Sequence, residues 1–138
     1  MTHFVASIGT GGTFIGSARA LKRHNSAIRC YAAEPASAPF IAGGPISNTS
    51  HKIQGTGYAM IPPLWDPSLC DGFLTAADDE AAETGRRLAR VEGIFGGFSA
   101  GANVACALRL ARQAELGALV VTVACDTGLK YLSTDLFG

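Results

Sequence analysis

Apolar segments alternate with amphipathic segments along most of the chain. Four apolar runs predict buried strands, at residues 4–8, 28–33, 72–75 and 119–124. Three amphipathic stretches predict helices, at about residues 13–24, 78–92 and 102–115, with Asp78 as a candidate cap of the second. Strands that alternate with helices are typical of parallel sheets with right-handed crossovers. The pattern therefore predicts a three-layer α/β/α domain with an open parallel sheet of about four strands.

One long segment, residues 36–70, breaks this alternation. It holds five of the six prolines together with many glycine, serine and asparagine residues. A connection of this length in a compact domain usually has a function of its own. We expect the segment to form a lid or one wall of a binding site.

A glycine-rich turn follows the first predicted strand and precedes the first helix. Gly9, Gly11 and Gly12 carry no Cβ atoms that would block a close ligand, while Thr10 and Thr13 add hydroxyl groups. The helix start offers free amide groups and the positive end of its dipole. These features predict a phosphate site. Phe14 occupies the third glycine position of the dinucleotide fingerprint, so the pattern does not specify a nucleotide.

A second glycine-rich turn surrounds Ser99 and fits the G-x-S-x-G pattern of hydrolase nucleophiles. That chemistry needs a histidine further along the chain, whereas all three histidines precede Ser99. Ser99 is therefore a candidate ligand contact or a cap for a helix that starts near Ala102. Asp126 and Thr127 follow the last strand, and ligands of open α/β sheets bind at this end of the strands.

Composition excludes several classes of function. The chain has 11 basic and 11 acidic residues and a formal net charge of +0, so nucleic-acid binding is not expected. No apolar stretch reaches membrane-spanning length, and we expect no membrane association and a cytoplasmic location. The four cysteines form no C-x-x-C pair, which argues against a metal site. Cys30, Cys106 and Cys125 are expected in the core.

Taken in order, these motifs resemble the fold-type II pyridoxal-phosphate enzymes of the cysteine synthase and cystathionine β-synthase family. The resemblance covers essentially the whole chain, with Cys125 standing where proline is more usual. It implies a fold like that of the tryptophan synthase β-subunit. The matching motifs lie at residues 9–13, 34–35, 52–57, 92–94, 99–102 and 126–134.

The resemblance also implies roles for individual residues. The loop from Gly9 to Thr13 would hold the phosphate of pyridoxal 5'-phosphate, and Ser99 would contact its pyridine nitrogen. Asp126 and Thr127 would stand near the ring edge, and the segment of Gln54 and Gly55 would border the substrate. The implied reaction is β-replacement on O-acetylserine or a related activated serine, as in cysteine biosynthesis.

One departure from the family is large, because the lysine that forms a Schiff base with the cofactor is absent. Lys22, Lys52 and Lys130 all lie at positions without that role. We therefore expect residues 1–138 to be the carboxy-terminal, cofactor-phosphate-binding half of such an enzyme. A missing amino-terminal half would be its partner, with an amino acid as the substrate. The isolated chain would have no catalytic residue, weak or absent cofactor binding and a tendency to form homo-oligomers.

Two other interpretations remain open at this point. The chain could be a non-catalytic module for a nucleotide or a phosphometabolite, with Glu34 bonded to a ribose hydroxyl. It could also be a structural half that docks on a partner chain.

Overall fold

A computed structural model describes all of residues 1–138 and contains a single four-stranded sheet. The strands are β1 (His3–Ser7), β2 (Arg29–Pro35), β3 (Gly72–Ala76) and β4 (Val120–Thr122). The helices are α1 (Gly12–His24), α2 (Asp78–Glu92) and α3 (Phe98–Gln113), with 3₁₀ turns at Pro67–Leu69 and Gly128–Tyr131.

All strand pairs are parallel, and the spatial order is β3-β2-β1-β4. β1 is hydrogen-bonded on both sides, with His3 opposite Arg29 of β2 and Val120 of β4. The carboxyl ends of β1 and β2 consequently open at the same edge of the sheet. The predicted parallel sheet of about four strands is confirmed.

The side chains of β1 alternate between two cores on opposite faces of the sheet. Phe4 and Ala6 pack with buried residues of α1. Val5 packs on the other face with residues of α2 and α3. A strand buried on both faces needs a continuous apolar run, which is what the sequence provides. The three-layer arrangement is thereby confirmed.

Several boundaries differ from those predicted. β2 continues through Glu34 and Pro35, which pair with β3 after the ladder with β1 has ended at Ala33. Asp78 does not cap α2: Ala77 holds that position without a side-chain bond, and the Asp78 carboxylate accepts the amide of Lys52 at 3.0 Å.

The cysteine prediction is correct for two of its three residues. Cys30 and Cys106 are buried, whereas Cys125 is exposed. The reason is that β4 ends at Thr122, so Cys125 lies on the connection that leaves the sheet. No helix of the chain combines the length and the apolar character that crossing a membrane requires.

Helices α2 and α3 approach closely through small side chains. A Cβ atom added at Gly101 of α3 would lie 2.0 Å from the backbone oxygen of Ala81 on α2. Gly85 of α2 faces the same contact, with its backbone nitrogen 3.0 Å from that Cβ. The crossing of the two helices therefore depends on Gly101 having no side chain.

Gly101→Ala is expected to destabilise the protein by about 1–3 kcal/mol, because the methyl group forces the two helices apart. Gly16→Ala is the matched control, since Gly16 lies within α1 and an added Cβ meets nothing within 4 Å. The free energy of unfolding of this control should rise by up to about 1 kcal/mol, because alanine has a higher helix propensity than glycine. Urea unfolding measures the free energy of unfolding of both variants. Equal changes in the two variants would contradict the close contact between α2 and α3 at Gly101.

Candidate functional site

A cleft of about 480 Å³ opens at the carboxyl edge of the sheet. Its volume lies within the range of roughly 300–1,000 Å³ that small-molecule sites occupy. Backbone and side chains from four separate parts of the chain meet there. They are Ala6, Ser7, Gly9, Thr10, Gly11, Gly12, Thr13, Gln54, Gly55, Thr56, Tyr58, Ser99, Asn103, Val123, Cys125, Asp126, Lys130 and Tyr131.

The loop after β1 supplies the start of α1 to this cleft. Gly11 holds the N-cap position with φ of 91°, a left-handed conformation that favours glycine. No side chain caps the helix, so the amide groups of its first turn remain available to a ligand. A Cβ at Gly12 would meet only the Thr10 hydroxyl oxygen, at 3.8 Å. The loop is therefore open on the side where an anion would approach.

The long segment after β2 forms a second wall of the cleft. A Cβ at Gly9 would lie 2.2 Å from the carbonyl oxygen of Gly55, so the two backbones touch only because Gly9 has no side chain. Residues 54–56 and Tyr58 line the cleft beside the loop. This position agrees with the prediction that residues 36–70 form one wall of a site.

Ser99 lies in the first turn of α3 and is 4% exposed. Its hydroxyl donates a hydrogen bond of 2.7 Å to the carbonyl oxygen of Gln54. The interpretation of Ser99 as a helix cap is wrong, because α3 starts at Phe98 and Gly97 holds the N-cap position. Ser99 instead joins α3 to the segment that walls the cleft.

Asp126 supplies the cap that α3 lacks locally. Its carboxylate accepts the amides of Gly97 at 3.1 Å, Ser99 at 3.2 Å and Ala100 at 2.9 Å. These groups are among the orphan donors of a helix start, and a negative charge there also complements the helix dipole. This contact explains why α3 begins four residues earlier than the local sequence indicates.

Tyr131 completes the surroundings of Asp126 by donating its hydroxyl to the carboxylate at 2.8 Å. Burial raises the pKa of Tyr131 to about 12, and the hydrogen bond and charge of Asp126 act in the same direction. The phenol therefore remains a donor at every pH at which the protein is ordinarily handled.

Asn103 is a cleft residue that the sequence analysis missed. It is 1% exposed, accepts the amide of Ser7 at 2.8 Å and donates to the carbonyl of Val123 at 2.9 Å. It thus ties the end of β1 to the connection after β4. The available signal was a polar residue one helical turn after Ser99, on a face otherwise made of small apolar side chains.

The predicted site residues do not all reach the cleft. Gly9 to Thr13, Gln54, Gly55, Ser99 and Asp126 line it, whereas Thr127 does not. The Thr127 hydroxyl accepts the amide of Leu129 at 3.4 Å, and its backbone forms a bridge with Gly96. Thr127 is thus next to a cleft residue in sequence but outside the cleft lining.

The three lysines have different surroundings. Lys22 donates to Asp71 at 2.6 Å, and Lys52 pairs with Asp135. Lys130 lines the cleft and forms no ion pair. No group of three or more histidine, cysteine, aspartate or glutamate side chains is placed to hold a metal ion.

Glu34 is not available for a ribose. It is 4% exposed, and its two carboxylate oxygens accept the amides of Ile41 at 3.0 Å and Ala42 at 2.9 Å. The hypothesis that Glu34 binds a nucleotide sugar is therefore wrong, because the side chain folds the following loop instead.

Comparison with known sequences gives consistent matches. The family described as pyridoxal-phosphate dependent enzyme matches residues 1–126. The chain is 42% identical over 137 residues to O-ureido-L-serine synthase of Streptomyces lavendulae. It is 41% identical over 134 residues to a probable cysteine synthase of Bacillus subtilis. These alignments cover 99% and 97% of the chain but 42% of each relative, so the chain spans less than half of their length.

Solved structures of similar enzymes also match the chain over nearly its whole length. A crystal structure of O-ureido-L-serine synthase matches with a TM-score of 0.92 and 41% identity, covering 99% of this chain and 43% of that protein. An O-acetylserine dependent cystathionine β-synthase from Helicobacter pylori matches with a TM-score of 0.91 and 39% identity. That match covers 99% of this chain and 44% of the other.

Asp126→Ala is expected to destabilise the protein by about 2 kcal/mol, because three amides at the start of α3 lose their charged acceptor. The matched control is Asp79→Ala, an exposed acid in the first turn of α2 for which no hydrogen bond is found. Asp79→Ala should lower the free energy of unfolding by only about 0.5 kcal/mol, because it removes an interaction with the helix dipole and no hydrogen bond. Thermal unfolding compares the two, and equal losses would contradict the capping role.

The raised pKa of Tyr131 predicts a loss of stability at high pH. The folded protein holds this proton more tightly than the unfolded chain, so the contribution is complete below pH 10 and disappears as the pH rises through about 12. The free energy of unfolding should fall more steeply between these limits in the wild type than in Tyr131→Phe. Parallel pH profiles of the two proteins would refute the effect.

Proposed function

Because the chain belongs to the family of pyridoxal-phosphate dependent enzymes, we propose that it is the cofactor-phosphate-binding part of a cysteine synthase-like enzyme. The complete protein would replace the β-substituent of O-acetylserine, or of a related activated serine, by sulfide or another nucleophile. The names of two relatives support this class, since cysteine and O-ureido-L-serine are both alanines substituted at the β-carbon.

The observation that carries the proposal is the uncapped start of α1 at the cleft. Its amides have no side-chain acceptor, and the backbone conformation at Gly11 turns the chain so that the loop stays open. We assign the phosphate of pyridoxal 5'-phosphate to this loop, with the hydroxyls of Thr10 and Thr13 as further donors. A doubly charged phosphate is the ligand that this arrangement suits.

Ser99 is the residue that we assign to the ring nitrogen of the cofactor. It lines the same cleft and carries a neutral hydroxyl, which places no fixed charge beside that nitrogen. Pyridoxal phosphate, when bound, supplies the electron sink that removal of a β-substituent requires. A neutral partner moderates that sink and suits elimination and replacement at the β-carbon.

The remaining predicted residues have supporting roles in this proposal. Gln54 and Gly55 border the cleft and would face the amino-acid substrate. Asp126 would support the site by holding the start of α3, and Thr127 would support it through its backbone bridge with Gly96. None of these groups is proposed to react with substrate.

The covalent attachment of the cofactor is not assigned to any lysine of this chain. We propose that the isolated chain holds pyridoxal phosphate weakly and without turnover. The amino-terminal half of a family member would then bring the missing lysine. Exposed apolar side chains in the long segment after β2, part of which walls the cleft, support a covering partner or a homo-oligomer. They are Tyr58, Met60, Ile61 and Leu64, each more than half exposed.

A titration of the chain with pyridoxal phosphate, pyridoxal and NAD tests the assignment. We expect weak binding of pyridoxal phosphate and weaker binding of pyridoxal, because the loop recognises a terminal phosphate. No binding of NAD is expected, because Phe14 occupies the third glycine position of the dinucleotide fingerprint. Gly12→Asp should weaken the binding at least about tenfold by placing a negative charge in the loop. Gly16→Asp is the matched control, because it adds the same charge one turn further along α1, where nothing lies within 4 Å.

Four outcomes would contradict the proposal. Binding of NAD without pyridoxal phosphate would favour a nucleotide module, and equal binding by the two aspartate variants would place the ligand elsewhere. Formation of cysteine from O-acetylserine and sulfide by the chain alone would show that the missing lysine is dispensable. A visible absorption band that is lost in Lys130→Ala would identify that lysine as an attachment point.

A further inference from the structure

We propose that Asp126 and Tyr131 form a clamp that positions the Ser99 hydroxyl in the cleft. Asp126 acts as a positioning residue through its hydrogen bond to the Ser99 backbone, and Tyr131 acts through Asp126. The inference rests on the proposed function in one respect, which is that Ser99 contacts the cofactor.

The two carboxylate oxygens of Asp126 accept hydrogen bonds from different groups, and only one of them contacts Ser99. Oδ1 accepts the amides of Gly97 at 3.1 Å and Ala100 at 2.9 Å, as the oxygen of an ordinary helix cap does. Oδ2 accepts the amide of Ser99 at 3.2 Å and the Tyr131 hydroxyl at 2.8 Å. Tyr131 thus fixes the oxygen that holds Ser99.

Tyr131 is itself held by the turn that it stabilises. Its ring packs edge-on against Phe98, with the ring centroids 5.3 Å apart and an interplanar angle of 85°. Phe98 immediately precedes Ser99, so the aromatic contact and the carboxylate contact act on adjacent residues. The phenol cannot move away from Asp126 without disturbing the start of α3.

Gly97 allows the clamp to close on the backbone. A Cβ atom at this position would lie 2.0 Å from Cε2 of Tyr131 and 2.3 Å from Oδ2 of Asp126. Any side chain would therefore displace both members of the clamp. The close approach shows that the tyrosine and the carboxylate lie directly against the turn that carries Ser99.

The clamp leaves the Ser99 side chain little freedom. Its amide is fixed by Asp126, while its hydroxyl donates to the Gln54 carbonyl at 2.7 Å. One bond to the backbone amide and one from the side chain of the same small residue together restrict where the hydroxyl oxygen lies. Site geometry of this kind matters because displacements of about 1 Å are enough to impair a functional contact.

Asp126→Asn removes the bond to Ser99 selectively, and Tyr131→Phe separates the clamp from plain capping. The side chain keeps its size, and its remaining oxygen can still accept the amides of Gly97 and Ala100. The new amide group then replaces Oδ2 and points a donor at the Ser99 amide. Plain capping and the clamp therefore both predict a loss centred on Ser99 in this variant. They differ for Tyr131→Phe: a cap that does not depend on the phenol leaves the Ser99 amide protected, whereas the clamp predicts faster exchange there.

Hydrogen exchange of the full chain, measured by NMR, tests this distinction. In Asp126→Asn we expect exchange at the Ser99 amide to accelerate at least about tenfold, with Gly97 and Ala100 changed less than about threefold. Tyr131→Phe should accelerate Ser99 by a smaller factor. Tyr31→Phe is the matched control, since it removes a tyrosine hydroxyl from β2, outside the cleft, and should leave all three amides unchanged.

Protection of the Ala6 amide in the central strand shows whether each variant remains folded. Unchanged exchange at Ser99, or equal acceleration at all three amides, would overturn the clamp. Pyridoxal phosphate titration adds a second readout: Tyr131→Phe should weaken binding in the wild type but not in a Ser99→Ala background. If the wild type binds no pyridoxal phosphate, the proposed function fails, and the exchange result still decides the clamp.

Discussion

Parallel hydrogen bonding of β1 to a strand on each side is the constraint on which the rest of the structure depends. It places this strand inside the sheet, with apolar side chains required on both faces. It also brings the turn after β1 to the middle of one sheet edge. The start of α1, the segment after β2 and the connection after β4 then have to meet at that edge.

Local sequence signals were sufficient for the sheet and for the glycine-rich turn that lines the cleft. Apolar runs predict buried strands directly, and the glycines at 9, 11 and 12 identify a turn that leaves backbone amides accessible. Both signals depend on residues adjacent in the chain. The three layers then follow from the general packing rules of parallel sheets. The strand order β3-β2-β1-β4 was not predicted and is seen only in the structure.

Contacts between distant residues could not be predicted in the same way. The start of α3 was placed too late because its cap, Asp126, lies more than two dozen residues beyond it. Glu34 has the position of a nucleotide ligand in sequence, but it folds its own loop. Asn103 has no motif at all, since its importance comes from joining two strand ends.

The hydrogen bond from Ser99 to Gln54 has a consequence for ligand entry. A serine hydroxyl carries a single proton, and here that proton already belongs to a backbone carbonyl at 2.7 Å. Donation to an unprotonated ring nitrogen requires that this bond be given up, and the Gln54 carbonyl must then find another donor or turn toward water. In the proposed site, binding of the ring nitrogen by Ser99 would therefore release the Gln54 carbonyl, and the direction of one O–H bond would couple the two events.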